Sequence, residues 1–250
     1  MVMTLLLADY RIRVSLPDSP GILAQCAEYR LPDDVSPDFT VDVTEADVDN
    51  ERRIFLRRNP NAAEESPARR TDLLSLALYR RICTLLALHR VLLIHGSSPM
   101  VDGRAYLYCA PSGTGKSTHT RLLRGLLGDR VTMVNDDKPL VRFFEDGQIR
   151  IYGTPWNGKH RLGAPVSAPL EAVCFLHRAA ENTIVPLPAE ERLPKLLESV
   201  FRPEGTAELL AVLDLTDRLM ASVRFWSLGC NMDPSAAALS YGTMSGETAS

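Results

Sequence analysis

Chemistry is most concentrated in the run APSGTGKST, Ala110–Thr118. Glycines at 113 and 115 let a backbone curl until successive N–H groups point at one anion. Lys116 can reach the β- and γ-phosphates of a nucleotide, and the Ser117 hydroxyl can complete the oxygen shell of Mg²⁺. A strand, RAYLYC, leads into the run, and a helix with Thr120, Leu122, Leu123, Leu126 and Leu127 leads out of it. That strand–loop–helix context is what a phosphate loop requires, and the helix start near Lys116 adds its positive dipole end. Ala110 stands where the pattern G-x-x-x-x-G-K-[ST] has its first glycine, and alanine is small enough there if its φ is negative. Ser112, Gly113, Thr114, Gly115, Lys116, Ser117 and Thr118 are thus the candidate nucleotide contacts. The blander reading is a Gly- and Ser-rich turn capping an ordinary helix. A lysine and two hydroxyls in register after a strand argue against it.

Twenty residues on, VTMVN leads into Asp136, Asp137, Lys138 and Pro139. Ligands of wound α/β sheets gather at the carboxyl ends of strands, so this pair can bring acid to the phosphates. Adjacent carboxylates suggest a division of labour: one supports the metal and the other takes a proton from an attacking hydroxyl. Asn, Asp and Pro also favour simple turns. His95 is a third candidate, able to orient an aspartate or to stabilise transferring phosphoryl oxygens; packing alone is its plainer role. The loop YGTPWNGKHR, residues 152–161, holds an exposed-looking Trp156. It also offers Lys159 and Arg161 as anion clamps and Thr154 as a hydroxyl donor, the alternative being a loop whose tryptophan packs on the core. His119, His160 and His177 do not make a metal set.

These residues need elements to hold them. Asp102 and Gly103 between two apolar runs predict a hairpin with a type I′ turn. If the loop holds only those two, 101 faces 104, His95 lies opposite Ala110, and Pro99 faces Tyr106 at an outward position or a bulge. Asp146 and Gly147 predict a second hairpin between LVRFF and QIRIYG. Leu74, Leu78, Ile82 and Leu86 predict a helix capped by Thr71 or Asp72 and ending near His89. Later segments read as a strand at AVCFLHR, helices at about 188–201 and 206–220, and a strand at SVRFWSLG. Period-two runs at Tyr10, Ile12, Val14 and at Phe39, Val41, Val43 predict short half-buried strands in an N-terminal β-rich lobe, 1–56. Residues 57–70 read as a linker or exposed loop, 71–240 as the core and 241–250 as a frayed tail.

Composition fits a globular chain of 250 residues, with 45% hydrophobic and 24% charged residues. Lys plus Arg is 28 against 31 Asp plus Glu, a net charge of −3 that argues against a dedicated nucleic-acid binder. The eight arginines among residues 51–81 read as a solvated face more readily than as an acidic-partner site. No apolar run approaches a membrane span. The start, MVMTLLLADYR, has no positive charge ahead of its apolar run, against a signal peptide. Cysteines 26, 83, 109, 174 and 230 form no CxxC pair, so neither a disulfide framework nor a cysteine zinc site is expected. A soluble, cytoplasmic chain is the expectation.

IHGS, APSGTGKST, VNDDKP, YGTPWNGK and AVCFLHRAAENTIVPL, between about Leu93 and Leu239, resemble the HPr serine kinase/phosphorylase family. The likeness is greatest to its shorter relatives, such as lasso-peptide tailoring kinases. The resemblance implies an α/β P-loop kinase fold with a mixed, partly antiparallel sheet of the HPr kinase/phosphoenolpyruvate carboxykinase type. It implies ATP and Mg²⁺ as cofactors and transfer of the γ-phosphoryl to a hydroxyl of a peptide, protein or small metabolite. By the same resemblance Asp136 is the base, Asp137 a metal partner with Ser117, and His95 the support of the acid, while Lys116 holds phosphates. The family's C-terminal signature has no counterpart in RPEGTAELLAVLDLTDRLMASVRFW after residue 200, so HPr itself is not carried over as acceptor. A nucleotide-gated module without turnover and a carboxykinase-like lyase are the competing readings. Self-association is left open.

Overall fold

Period-two apolar residues build a first sheet from β1 (Val2–Leu7), β2 (Tyr10–Ser15), β3 (Arg30–Leu31) and β4 (Phe39–Asp42), in the order β3-β1-β2-β4. Ala8 and Asp9, at φ 49° and 60°, turn β1 back antiparallel onto β2, while β4 joins β2 in parallel. The short helix α1 (Pro20–Gln25) lies between β2 and β3. Helix α2 (Glu45–Arg58) opens at Thr44, whose N–H and hydroxyl each donate to Asp47 at 2.8 Å. The structure, a computed structural model, describes residues 1–60, 67–111 and 113–246.

Helix α3 (Pro67–Ala87) carries the predicted leucine stripe but starts a turn before the expected caps at Thr71 and Asp72. Proline's fixed φ suits a first helical turn, so the helix takes in most of what read as the second half of a linker. Arg57 and Arg58 belong to α2, and positions 61–66 of that linker lie outside the described residues. Leu74, Leu78, Ile82 and Leu86 share one core with Met3, Leu5, Ile12 and Val14 of the first sheet and with Trp156. The N-terminal sheet is thereby bonded by apolar contact to the segment that carries the site.

The second sheet has nine strands. They are β5 (Val91–Leu93), β6 (Ser98–Val101), β7 (Arg104–Cys109), β8 (Val131–Asn135), β9 (Leu140–Phe143), β10 (Ile149–Tyr152), β11 (Ser167–Arg178), β12 (Thr183–Pro186) and β13 (Arg224–Cys230). Its main path runs β5-β9-β10-β11-β7-β6-β8, and β13 pairs with β11 and β12. Pairing is mixed: β6–β7, β6–β8, β9–β10 and β10–β11 are antiparallel, whereas β7–β11 and β11–β13 are parallel. Alternation along β7 sends Ala105, Leu107 and Cys109 to one face and Tyr106 and Tyr108 to the other. Helices α5 (Ala189–Ser199) and α6 (Thr206–Ser222) cover the first face through Leu196, Val212, Leu215 and Leu219. Helices α4 (Lys116–Leu127) and α7 (Ser235–Ser245) cover the second through Leu123, Ala237, Tyr241 and Met244. The chain is a mixed α/β protein, and among the described residues no helix is long and apolar enough to cross a membrane. All five cysteines are free.

The expected tail at 241–250 needs correction. Residues 241–245 complete α7, and Tyr241 and Met244 are buried; residues 247–250 lie outside the described residues. Helix α7 packs closely on its neighbours through Ser240. Ser240 meets His119 of α4, its Oγ lying 3.0 Å from Nε2, and Tyr108 of β7 at 3.3 Å. Burial holds the His119 pKa down at about 4, so this ring backs α4 in its neutral form. If α7 is part of the packed core, Met244→Ala should lower unfolding stability by about 2–5 kcal/mol. Urea denaturation measures it, and an unchanged midpoint would return these residues to a frayed end.

Candidate active site

The β6–β7 hairpin makes the first placement. Asp102 and Gly103 take φ of 48° and 80°, as a type I′ turn demands, and Val101 pairs with Arg104. Ser97 and Tyr108 exchange both backbone hydrogen bonds at 2.9 Å, so the register reaches the mouth of the phosphate loop without slipping. Pro99 is accommodated on the other side: between Ser98 and Pro99 the pairing with β8 skips from Asn135 to Met133. Beyond Ser97, a Cβ on Gly96 would lie 2.6 Å from Leu107 Cδ1 and 2.9 Å from the Tyr108 carbonyl oxygen, so only glycine fits.

His95 and Ala110 then meet through Lys116. Its Nζ donates to the Ala110 carbonyl at 2.6 Å and lies 3.3 Å from His95 Nε2. A lysine ammonium has only protons to give, so Nε2 accepts and the ring proton sits on Nδ1, 3.1 Å from Asp137 Oδ1. Lys138 pairs with the other oxygen of Asp137. Burial pushes the Asp137 carboxyl up, yet the His95 hydrogen bond and the Lys138 charge outweigh it and hold it at about 2. Burial also lowers the Lys116 ammonium below its ordinary value, against the pull of Asp137.

Gly113 and Gly115 adopt φ of 78° and 124° around the loop, and α4 begins at Lys116 with the Ser117 side chain exposed. Ser112 lies outside the described residues. Arg178, at the end of β11, donates to the Gly113 carbonyl at 2.7 Å and pins the loop from outside. Nothing in the local sequence announces this contact, because 65 positions separate the two residues.

Asn135 is the larger omission. Its amide is fully buried. Nδ2 donates to the Thr154 carbonyl and hydroxyl at 3.2 and 3.1 Å. Oδ1 accepts from the N–H groups of Asp137 and Lys138 at 2.8 and 2.6 Å. This Asx turn directs both aspartates off the end of β8. An Asn before two Asp was a usable signal for it.

Thr154 is corrected by the same contacts. It is fully buried, and its hydroxyl donates to the Lys138 carbonyl at 2.9 Å, so it braces the acid turn and offers nothing to a substrate. Trp156 is likewise buried: its ring stacks on Tyr79 with centroids 4.0 Å apart, and Nε1 donates to the Ser75 carbonyl at 3.1 Å. With Trp156 anchored, the Gly158 N–H donates to Asp136 Oδ1 at 2.6 Å. Lys159 and Arg161 follow, beside a cavity of about 820 Å³ also lined by His95, Lys116, Ser117, Asp136 and Asp137.

No family model and no curated protein matches the chain. Among solved structures, the chain is similar to an HPr(Ser) kinase/phosphatase from Coxiella burnetii at 11% identity and a TM-score of 0.33, over 60% of this chain and 95% of that one. The site described above therefore stands on its own geometry.

Asn135→Ala should cost about 2–4 kcal/mol of stability, because it removes the acceptor of the Asp137 and Lys138 N–H groups and a donor to both Thr154 oxygens from the interior. Chemical denaturation measures this. A loss below about 0.5 kcal/mol would mean that the acid turn holds itself.

Proposed function

We propose that this chain is an ATP- and Mg²⁺-dependent kinase that transfers the γ-phosphoryl group to a hydroxyl of a peptide, protein or small metabolite. The fold would be the P-loop type shared by HPr kinases and phosphoenolpyruvate carboxykinases. One observation carries the reading: the phosphate loop and the acid pair open on a single cavity, with Lys116 and Asp137 joined through the His95 ring.

The two aspartates differ in a way that supports separate roles. Both oxygens of Asp137 are engaged, by His95 and Lys138. Asp136 is held by one oxygen against the Gly158 N–H, and its Oδ2 can accept the proton of an incoming hydroxyl. Lys116 would exchange its Ala110 and His95 contacts for phosphate oxygens, while loop amides from Gly113 to Thr118 bind the rest of the polyphosphate. Lys159 and Arg161 face the same space as further phosphate clamps. His95 orients Asp137 and keeps Lys116 near the loop.

The donor set suits magnesium. Ser117 and the carboxylates offer oxygen only, and no cluster of three His, Cys, Asp or Glu suited to a metal occurs among the described residues. Ser117 and Asp137 would hold the ion together with the nucleotide, where it neutralises phosphate charge. Catalysis by this chain's own groups is then positioning plus proton removal by Asp136.

Lys116→Ala should weaken nucleotide binding by about tenfold or more. Asp136→Asn should leave binding nearly intact but abolish transfer of radiolabelled γ-phosphate to serine peptides. Normal turnover by Asp136→Asn would remove the base role. Nucleotide binding with no transfer to any acceptor, and no acceptor-stimulated ADP release, would leave a binding module.

A further inference from the structure

Behind Asp136 the main cavity continues into a second lobe of about 370 Å³. Ser117, Thr118, Asp136 and His160 border both lobes, whereas Arg121 and Arg124 border only the second. The two arginines sit three residues apart on α4, so one face of the helix presents both guanidinium groups. Neither guanidinium makes a hydrogen bond or ion pair with any described residue. Arg52, Arg70, Arg80 and Arg81 of α2 and α3, by contrast, have carboxylate partners.

Charge separates the lobes. The first already holds Lys116, Lys159 and Arg161 for the polyphosphate, and Asp137 is matched by Lys138 and His95. Among the described residues that line the second lobe, Asp136 alone opposes the arginine pair. A base must lie beside the hydroxyl it deprotonates; Asp136 borders both lobes, and the second, which lacks the glycines of the phosphate loop, offers an acceptor space within reach of that carboxylate.

Resting on the kinase reading above, we infer that Arg121 and Arg124 form an acceptor subsite for an anionic group, carboxylate or phosphate, carried close to the hydroxyl that is phosphorylated. Guanidinium forks recognise both anions bidentately. The proposal fixes the substrate class: an acidic acceptor, presented to Asp136 with its anion on α4. Leu162 adds an apolar side chain to the lining of this lobe.

The test uses serine peptides with neighbouring glutamate, phosphoserine or glutamine, offered to the full-length protein with Mg²⁺ and ATP. Fluorescein-labelled versions of the same peptides are titrated against the ADP-loaded protein by anisotropy. The glutamate or the phosphoserine peptide should bind and react about tenfold or more better than the glutamine peptide, and which one leads identifies the anion. R121Q/R124Q should erase that preference by raising KM for the anionic peptide. R121E/R124E should shift preference towards lysine-flanked peptides, a reversal that a purely structural role would not produce. Equal handling of all peptides, or a variant whose only defect is weaker binding of a fluorescent ADP analogue, would overturn the subsite and give the arginines to the nucleotide. If the anionic peptide binds with the predicted arginine dependence but no label moves, the subsite holds and the kinase reading fails.

Discussion

A buried carboxamide must spend all its hydrogen-bonding capacity, and at Asn135 that requirement organises the site. One end of the amide is committed to Thr154 and the other to the backbone of Asp137 and Lys138. Two segments distant in sequence are thereby fixed to each other at the end of β8. Unpaired polar groups in such a place cost more than the bonds themselves contribute, so the turn that aims the aspartates has few alternatives. Gly96 adds a second tie by donating to the Asp137 carbonyl at 3.0 Å. The catalytic candidates therefore hang from a braced frame and not from a free loop.

Electrostatics follow from this frame. Asp137 remains ionised despite burial because His95 and Lys138 were placed on its two oxygens. His95 in turn is placed by its own backbone, whose N–H donates to the Ser199 carbonyl at 2.7 Å. A helix on the far side of the sheet thus reaches the acid pair through one imidazole. The phosphate loop gains its own restraint from Arg178, so the anion nest is gripped from β11 as well as from β7.

Legibility in the sequence tracked how local the governing physics was. Asp102–Gly103 and Asp146–Gly147 declared their hairpins because the positive φ of Asp102, Gly103 and Gly147 is a local property of the turn residues. The register of β6 on β7 followed from that turn by counting, and with it the proximity of His95 to the phosphate loop. Thr154 and Trp156 misled because residue type speaks for chemistry while burial is decided by partners, here Asn135 and Tyr79. Helix α7 was missed for a related reason: its Ser, Gly and Thr lower helix propensity, while Ser240 packs closely on His119 of α4. Helix α2, with its Thr44–Asp47 cap, was readable but lay within a segment judged by its period-two runs.

β11 changes partners along its length, antiparallel with β10 up to Pro169 and parallel with β7 and β13 beyond it. Its parallel contacts set Leu107 beside Val173, far apart in the chain, whereas the β6–β7 and β9–β10 hairpins close over a handful of residues. Loop-closure entropy makes such distant pairings late and slow. The two hairpins should therefore assemble first and wait for β11 to zip between them, an order of events that pulsed amide exchange during refolding reads strand by strand.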